Sequence, residues 1–127
     1  MKKSILAILI GVGFLFSAFR DYGSKVISVY DGDTITVSMY LGLGISKEEK
    51  IRMYGINAPE MRGAEKAKGK VSRDALRKKI LGKDIVLKTI DDDKRGKYGR
   101  LLGVVYIDGV NVNEWMVEKG YAVFKKY

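Results

Sequence analysis

The run Thr34–Tyr40 alternates Ile35, Val37 and Met39 with Thr36, Ser38 and Tyr40. A period of two sends one set of side chains to a core and the other to solvent, which is the pattern of a half-buried β-strand. The residues before it, Lys25 to Tyr30, are rich in β-branched and aromatic side chains, and Asp31-Gly32-Asp33 separates the two runs. Two strands joined by a glycine-containing loop are therefore expected.

Three more strands follow from the same reasoning. Leu41-Gly42-Leu43-Gly44 supplies a turn, and Lys50 to Ile56 reads as a third strand with Arg52 and Tyr54 facing away from Ile51 and Met53. It must end at Asn57-Ala58-Pro59, because Pro59 lacks a donor and restricts Ala58. From about Lys70 to Leu81 the spacing of Val71, Ala75, Leu76 and Ile80 predicts an amphipathic helix stopped by Gly82, with Gly69 opposing an earlier start. Asp84–Ile90 and Leu101–Ile107 are the fourth and fifth strands, the latter turned by Asp108-Gly109 into Val110. A short helix from about Val112 to Lys119 meets a C-cap glycine at Gly120. The expected fold class is mainly β (α+β), a five-stranded OB-fold barrel with one main and one short helix. Five strands leave a filled interior, so a ligand must bind on the outer face or rim.

The chain has 127 residues, enough for one domain, placed here at 24–127. Met1-Lys2-Lys3 precedes an almost wholly apolar run, Ile5 to Phe16, and then Ser17-Ala18-Phe19-Arg20. That is the layout of a secretory signal, and residues 1–19 are read as a signal peptide or a short membrane anchor. Export is the expectation, whether secreted, periplasmic or in the cell envelope, with membrane anchoring if the leader is not cleaved. A buried helix is the other reading, and it fits poorly with a run apolar on every side.

The 24 Lys and Arg outweigh 15 Asp and Glu, for a formal charge of +9, which favours a polyanionic partner. From Arg62 to Lys83 nine basic residues face only Glu65 and Asp74. Such a run is also what the solvated face of a helix looks like. Cysteine and histidine are both absent. Disulfides, thiolate chemistry and a Ser-His-Asp hydrolase are thereby excluded, and any general base is a carboxylate, Lys or Tyr.

Three polar segments stand where apolar strand patterns end: Asp31-Gly32-Asp33-Thr34, Arg52 to Glu60, and Lys97-Tyr98-Gly99-Arg100. Asp31 and Asp33 flank one glycine, a way to aim hard oxygen ligands at a cation, and equally a way to cap a hairpin. Arg52 can grip two phosphate oxygens in a plane but is a poor general acid. Glu60 is the best candidate to orient or deprotonate a water, and an ion pair with Arg62 is its alternative use. Arg100 can approach a phosphate opposite Arg52, while Lys97 and Tyr98 can engage a neighbouring one. These are the parts of a metal-assisted phosphodiesterase.

The segments Val29-Tyr30-Asp31-Gly32-Asp33-Thr34, Ile51-Arg52 through Asn57-Ala58-Pro59-Glu60, Lys97-Tyr98-Gly99-Arg100 and Val112-Asn113-Glu114 resemble the staphylococcal-nuclease-like (thermonuclease) family. The likeness runs from about Val26 to the C-terminus. It implies an OB-fold barrel that cleaves DNA and RNA with Ca2+. By the same resemblance Arg52, Glu60 and Arg100 take the catalytic positions, and Glu60 acts on the water. Asp33, Asn57 and the Ala58 carbonyl take the metal positions, with Asp31 and Thr34 beside them, and Lys97 and Tyr98 contact a nucleotide phosphate.

Two departures stand out. Asn57 occupies a position where the family usually has an aspartate, so weaker calcium binding or a changed metal preference is expected. Family members also commonly continue into a further C-terminal helix beyond the point where this sequence stops, at Tyr127. The expected function is a calcium-dependent nuclease with little sequence specificity, acting as a monomer on DNA and/or RNA. The alternative is a non-catalytic OB-type nucleic-acid-binding module.

Overall fold

The computed structural model describes residues 19–91 and 95–126. The expected leader lies outside them, apart from Phe19. Among the described residues eight strands are present: β1 Phe19–Asp31, β2 Thr34–Gly42, β3 Ile45–Met53, β4 Ile56–Asn57, β5 Asp84–Ile90, β6 Leu101–Ile107, β7 Val110–Asn111 and β8 Val123–Phe124. Helix α1 spans Lys66–Ile80 and α2 spans Val112–Glu118.

The long strands form one sheet in the order β3-β2-β1-β5-β6, and β6 returns to pair in parallel with β3, Ile51 opposite Leu101. That pairing closes a five-stranded barrel of the OB kind, as the sequence predicted. Val26, Val37, Ile51, Met53, Leu87 and Val105 fill the interior. Leu76 and Ile80 of α1 and Met116 of α2 join the same core cluster and are fully buried. Burial of this order is the main favourable term in the fold.

Several boundaries differ from the sequence reading. β1 begins at Phe19, not Lys25, because Phe19 to Lys25 pair residue by residue with Ile90 to Asp84. The third strand is Ile45–Met53 rather than Lys50–Ile56. Its first half reads as polar and is largely exposed, yet it completes a ladder with β2 from Ile45 to Arg52. It stops at Tyr54-Gly55, where Gly55 adopts φ +80°, and Ile56–Asn57 instead pairs with Val123–Phe124. Helix α1 starts at Lys66 and runs through Gly69. A Cβ on Gly69 would fall on the Glu60 carbonyl oxygen, so glycine here permits close approach of helix and loop. Helix α2 ends at Glu118, one residue earlier than expected, with Lys119 as C-cap and Gly120 at φ +78°.

Candidate functional site

The turn between β1 and β2 is held from within. Asp31 Oδ1 accepts the Asp33 amide at 2.9 Å, and Thr34 Oγ1 donates to Asp33 Oδ1 at 3.1 Å. The turn lies tight against α1 and the β4 segment, since a Cβ on Gly32 would meet Ser72 Oγ and stand 2.7 Å from Ala58 Cβ. Asp33 is buried, and its Oδ2 accepts the Ala58 amide at 2.7 Å across 25 residues of sequence. This bond fixes Asp33 against the chain that carries Asn57 and Glu60.

Arg52 on β3 joins the same cluster. Its Nη2 donates to Asn57 Oδ1 at 2.6 Å and lies 3.4 Å from Asp33 Oδ2, while Nη1 donates to the Met53 carbonyl at 2.9 Å. Arg100 reaches in from the start of β6, its Nη1 donating to Thr34 Oγ1 at 3.1 Å. Asp31, Asp33, Thr34, Arg52, Asn57, Ala58 and Arg100 are thus linked by direct contacts.

Glu60 stands apart from that network. Its exposed carboxylate lies 3.5 Å from Arg62 Nε, and its amide donates to Glu65 Oε2 at 3.0 Å. The ion pair that the sequence offered as an alternative use is therefore formed. It joins two exposed groups, and such a contact holds a side chain only weakly.

Lys97 and Tyr98 occupy a single helical turn, Lys97–Gly99, ahead of β6. Tyr98 is an exposed non-glycine residue at φ 65°, a conformation that a bulky side chain adopts only where its surroundings enforce it. Lys97 Nζ and Arg100 Cζ lie 5.2 and 5.3 Å from its ring centre, and Arg100 Nε donates to the Lys97 carbonyl at 3.0 Å.

Arg95 pins this turn, a role the sequence did not disclose. Its guanidinium pairs with Glu49 of β3 through two bonds of 2.9 and 3.1 Å and also donates to the Gly99 carbonyl at 3.0 Å. The Arg95 bond, helped by Lys47 at 2.9 Å and opposed by burial, holds Glu49 well below the usual carboxylate range, at about 2. Nothing local in Ser46-Lys47-Glu48-Glu49-Lys50 marks Glu49, because its partner is 46 residues away. Arg77 of α1 was likewise read only as part of a basic run, but it donates to the Val29 carbonyl at 3.1 Å, just before the Asp31 turn.

Burial and the neighbouring Asp33 push Asp31 up to about 6, the mark of two carboxylates crowded without enough compensating charge. A hard cation relieves that crowding, and carboxylate, amide and carbonyl oxygens are its ligands. Among the described residues no three acidic side chains converge, so the site is poor in ligand charge. Asp33 and Asn57 present hard oxygens of the type a calcium-like ion takes, and Arg52 Nη2 already stands at both, 2.6 Å from Asn57 Oδ1 and 3.4 Å from Asp33 Oδ2.

The closed OB-type barrel thus brings two arginines and two aspartates together beside a strand turn, groups of a type suited to binding phosphate. Comparison with known sequences carries this further. The family model for staphylococcal nuclease homologues matches residues 50–127. An uncharacterized endonuclease of Escherichia coli is 36% identical over 132 residues, covering 100% of this chain and 76% of that protein. An endonuclease of Bacillus subtilis is 33% identical over 95 residues, covering 72% and 43%. A probable staphylococcal-like nuclease of rice, Oryza sativa subsp. japonica, is 40% identical over 78 residues, covering 61% and 22%. The chain belongs to the staphylococcal nuclease family, a family of nucleases.

Proposed function

We propose that this protein is an exported, calcium-dependent nuclease that hydrolyses phosphodiester bonds of DNA and/or RNA with little sequence specificity. The observation that carries the reading is the convergence of Arg52, on β3, and Arg100, just ahead of β6, on one cluster with Asp33, Thr34 and Asn57. Two guanidiniums on one patch suit the oxygens of a single phosphate, whose charge must be offset before a nucleophile can approach.

Asp33, the Asn57 amide oxygen and the Ala58 carbonyl would hold calcium, which supplies further charge neutralisation when bound. Arg52 and Arg100 bind the non-bridging oxygens and orient the phosphorus. Glu60 leaves Arg62 and accepts a proton from water as that oxygen bonds to phosphorus. The bond from phosphorus to the departing sugar oxygen breaks, and solvent returns a proton to the leaving alkoxide. Lys97 and Tyr98 contact the adjoining phosphate. The exposed Lys66, Lys68, Lys70 and Lys78 of α1 add a salt-dependent attraction to the polyanion.

The test is cleavage of single-stranded DNA and of RNA with calcium, with chelator, and with Glu60→Gln or Arg100→Ala. Loss of cleavage in the chelator and in both variants is expected. Undiminished activity in the variants would overturn the residue assignment, and binding without product in calcium would identify a non-catalytic OB-type module instead.

A further inference from the structure

A groove that the proposed mechanism does not use opens beside Glu60. Pro59, Ala67, Lys68, Val71, Gly120 and Tyr121 line it, around a space of about 460 Å3, within the range of clefts that hold small organic groups. Its walls are the chain after β4, the first two turns of α1 and the turn after α2. Ser72 Oγ donates to the Tyr121 carbonyl at 2.8 Å and ties two of these walls together, while the close approach at Gly69 holds α1 to the Pro59–Glu60 segment. The groove is therefore built into the fold.

Its surface is apolar and aromatic with one cation. Ala67, Lys68 and Val71 share a face of α1, and Val71 is 59% exposed. Tyr121 is half-buried, and its ring is backed by Trp115, with 5.8 Å between centres and 42° between planes; Lys79 Nζ lies 4.8 Å from the Trp115 ring centre. Lys68 is the one charged residue of the lining, with exposed Lys66 and Lys70 within a turn of it. Asp74, the acid one turn beyond Val71, is taken up by Arg73 at 3.0 Å and Arg77 at 4.0 Å. An aromatic ring on an apolar floor, with lysine at the rim, suits an unstacked nucleobase whose phosphate meets the cation.

Contacts lead away from the Asp33 turn along two routes. Thr34 leads through Arg100 to Lys97 and Tyr98. Asp33 leads through the Ala58 amide to Pro59, the next residue, about 3.8 Å further along the chain. We propose that the groove is a nucleobase subsite. It takes the base of the nucleotide that adjoins the scissile phosphate on the side away from Lys97 and Tyr98, stacked on Tyr121 and packed against Pro59 and Val71, with Lys68 at its phosphate. The assignment rests on the nuclease reading for the course of the strand. No lining side chain carries an amide or carboxylate to read a base edge, so the subsite adds affinity without selecting a sequence.

The test uses the full chain and a dinucleotide with a single internal phosphodiester, in which either base is replaced by hydrogen. Removing one of the two bases should lower kcat/KM by at least about fivefold in the native chain. That penalty should largely disappear in Tyr121→Leu, which keeps an apolar side chain against the core. A second measurement needs no turnover: single-stranded DNA carrying 5-iodouracil is bound in chelator and irradiated. Crosslinks are expected on Tyr121, recovered in the tryptic peptide 120–125, separately from any on Tyr98 in the peptide 98–100. Cleavage with the full penalty retained in Tyr121→Leu, or with no crosslink in peptide 120–125, would overturn the subsite and leave the nuclease reading standing. A crosslink in 120–125 from a protein that cleaves nothing would support the subsite and overturn the nuclease reading. Sedimentation of the free chain as a dimer that Val71→Glu dissociates would overturn the subsite in favour of a second copy covering the groove.

Discussion

Asn57 Oδ1 accepts a 2.6 Å hydrogen bond from Arg52 Nη2, and the same nitrogen stands 3.4 Å from Asp33 Oδ2. One guanidinium thus bridges two of the residues proposed to hold calcium. Arg52 meets one negative charge there where an aspartate at 57 would present two. Ligand charge sets calcium affinity, and one added charge at contact distance is worth at least about 1 kcal/mol even in a watery environment. Asn57→Asp should therefore tighten calcium binding by about tenfold, measured by isothermal titration calorimetry. Equal affinities would remove Asn57 from the ligand set.

Much of this site was legible because turn chemistry is local. Asp31-Gly32-Asp33 announces its hairpin, and the alternation of Ile35, Val37 and Met39 fixes which face of β2 is buried. Asp108-Gly109 likewise turns at φ 49 and 77°, as its residue types require. What the sequence hid is what depends on distant partners. β3 begins at Ile45 although its first residues carry no alternation, since its order comes from pairing with β2 rather than from burial. Gly69 looks like a helix breaker until its contact with the Glu60 backbone is known. The tie from Arg95 to Glu49 spans two elements that share no motif.

Asp31 makes the calcium-free protein sensitive to pH. Burial and then Asp33 raise its pKa from 3.8 to about 6, so the ionised form is the disfavoured one. The group's contribution to stability is complete below pH 3.8 and is lost as pH rises through about 6. Asp31→Asn keeps the oxygen that accepts the Asp33 amide and removes this loss. It should stabilise the calcium-free protein at pH 7 by on the order of 1–3 kcal/mol and leave it little changed at pH 4, in urea titrations at both values. Calcium should raise the melting temperature of the native chain more at pH 7 than at pH 5, and less still in Asp31→Asn.

The Glu49–Arg95 pair has the opposite sign. Its hydrogen bond to Arg95 lowers Glu49 from 4.5 to about 2. The stabilisation is complete above pH 4.5 and is lost as pH falls through about 2. Glu49 is largely buried but Arg95 is 41% exposed, and solvent screening reduces the pair to on the order of 1 kcal/mol. Glu49→Gln should cost about that much at pH 7 and clearly less as pH falls towards 2, by thermal melting. Because Arg95 also holds the Gly99 carbonyl, the Lys97–Arg100 turn should loosen, and nucleic-acid cleavage should fall severalfold in kcat/KM.

Gly69 offers the sharpest test of how the helix positions the loop. In an exposed helix interior, alanine in place of glycine adds about 1 kcal/mol of stability. Here the added methyl would be driven into the Glu60 carbonyl oxygen, with the Pro59 carbonyl oxygen 3.1 Å away, and neither backbone group can rotate aside. Overpacking of this kind costs about 1–3 kcal/mol. The helix and the Pro59–Glu60 segment must separate, and the segment also carries Ala58, whose amide is bonded to Asp33. Gly69→Ala should therefore lower stability despite its better helix propensity, and should lower the cleavage rate more than Lys70→Ala on the exposed side of the same helix. A stabilised, fully active Gly69→Ala protein would show that the close approach is dispensable and that Glu60 takes its position from elsewhere.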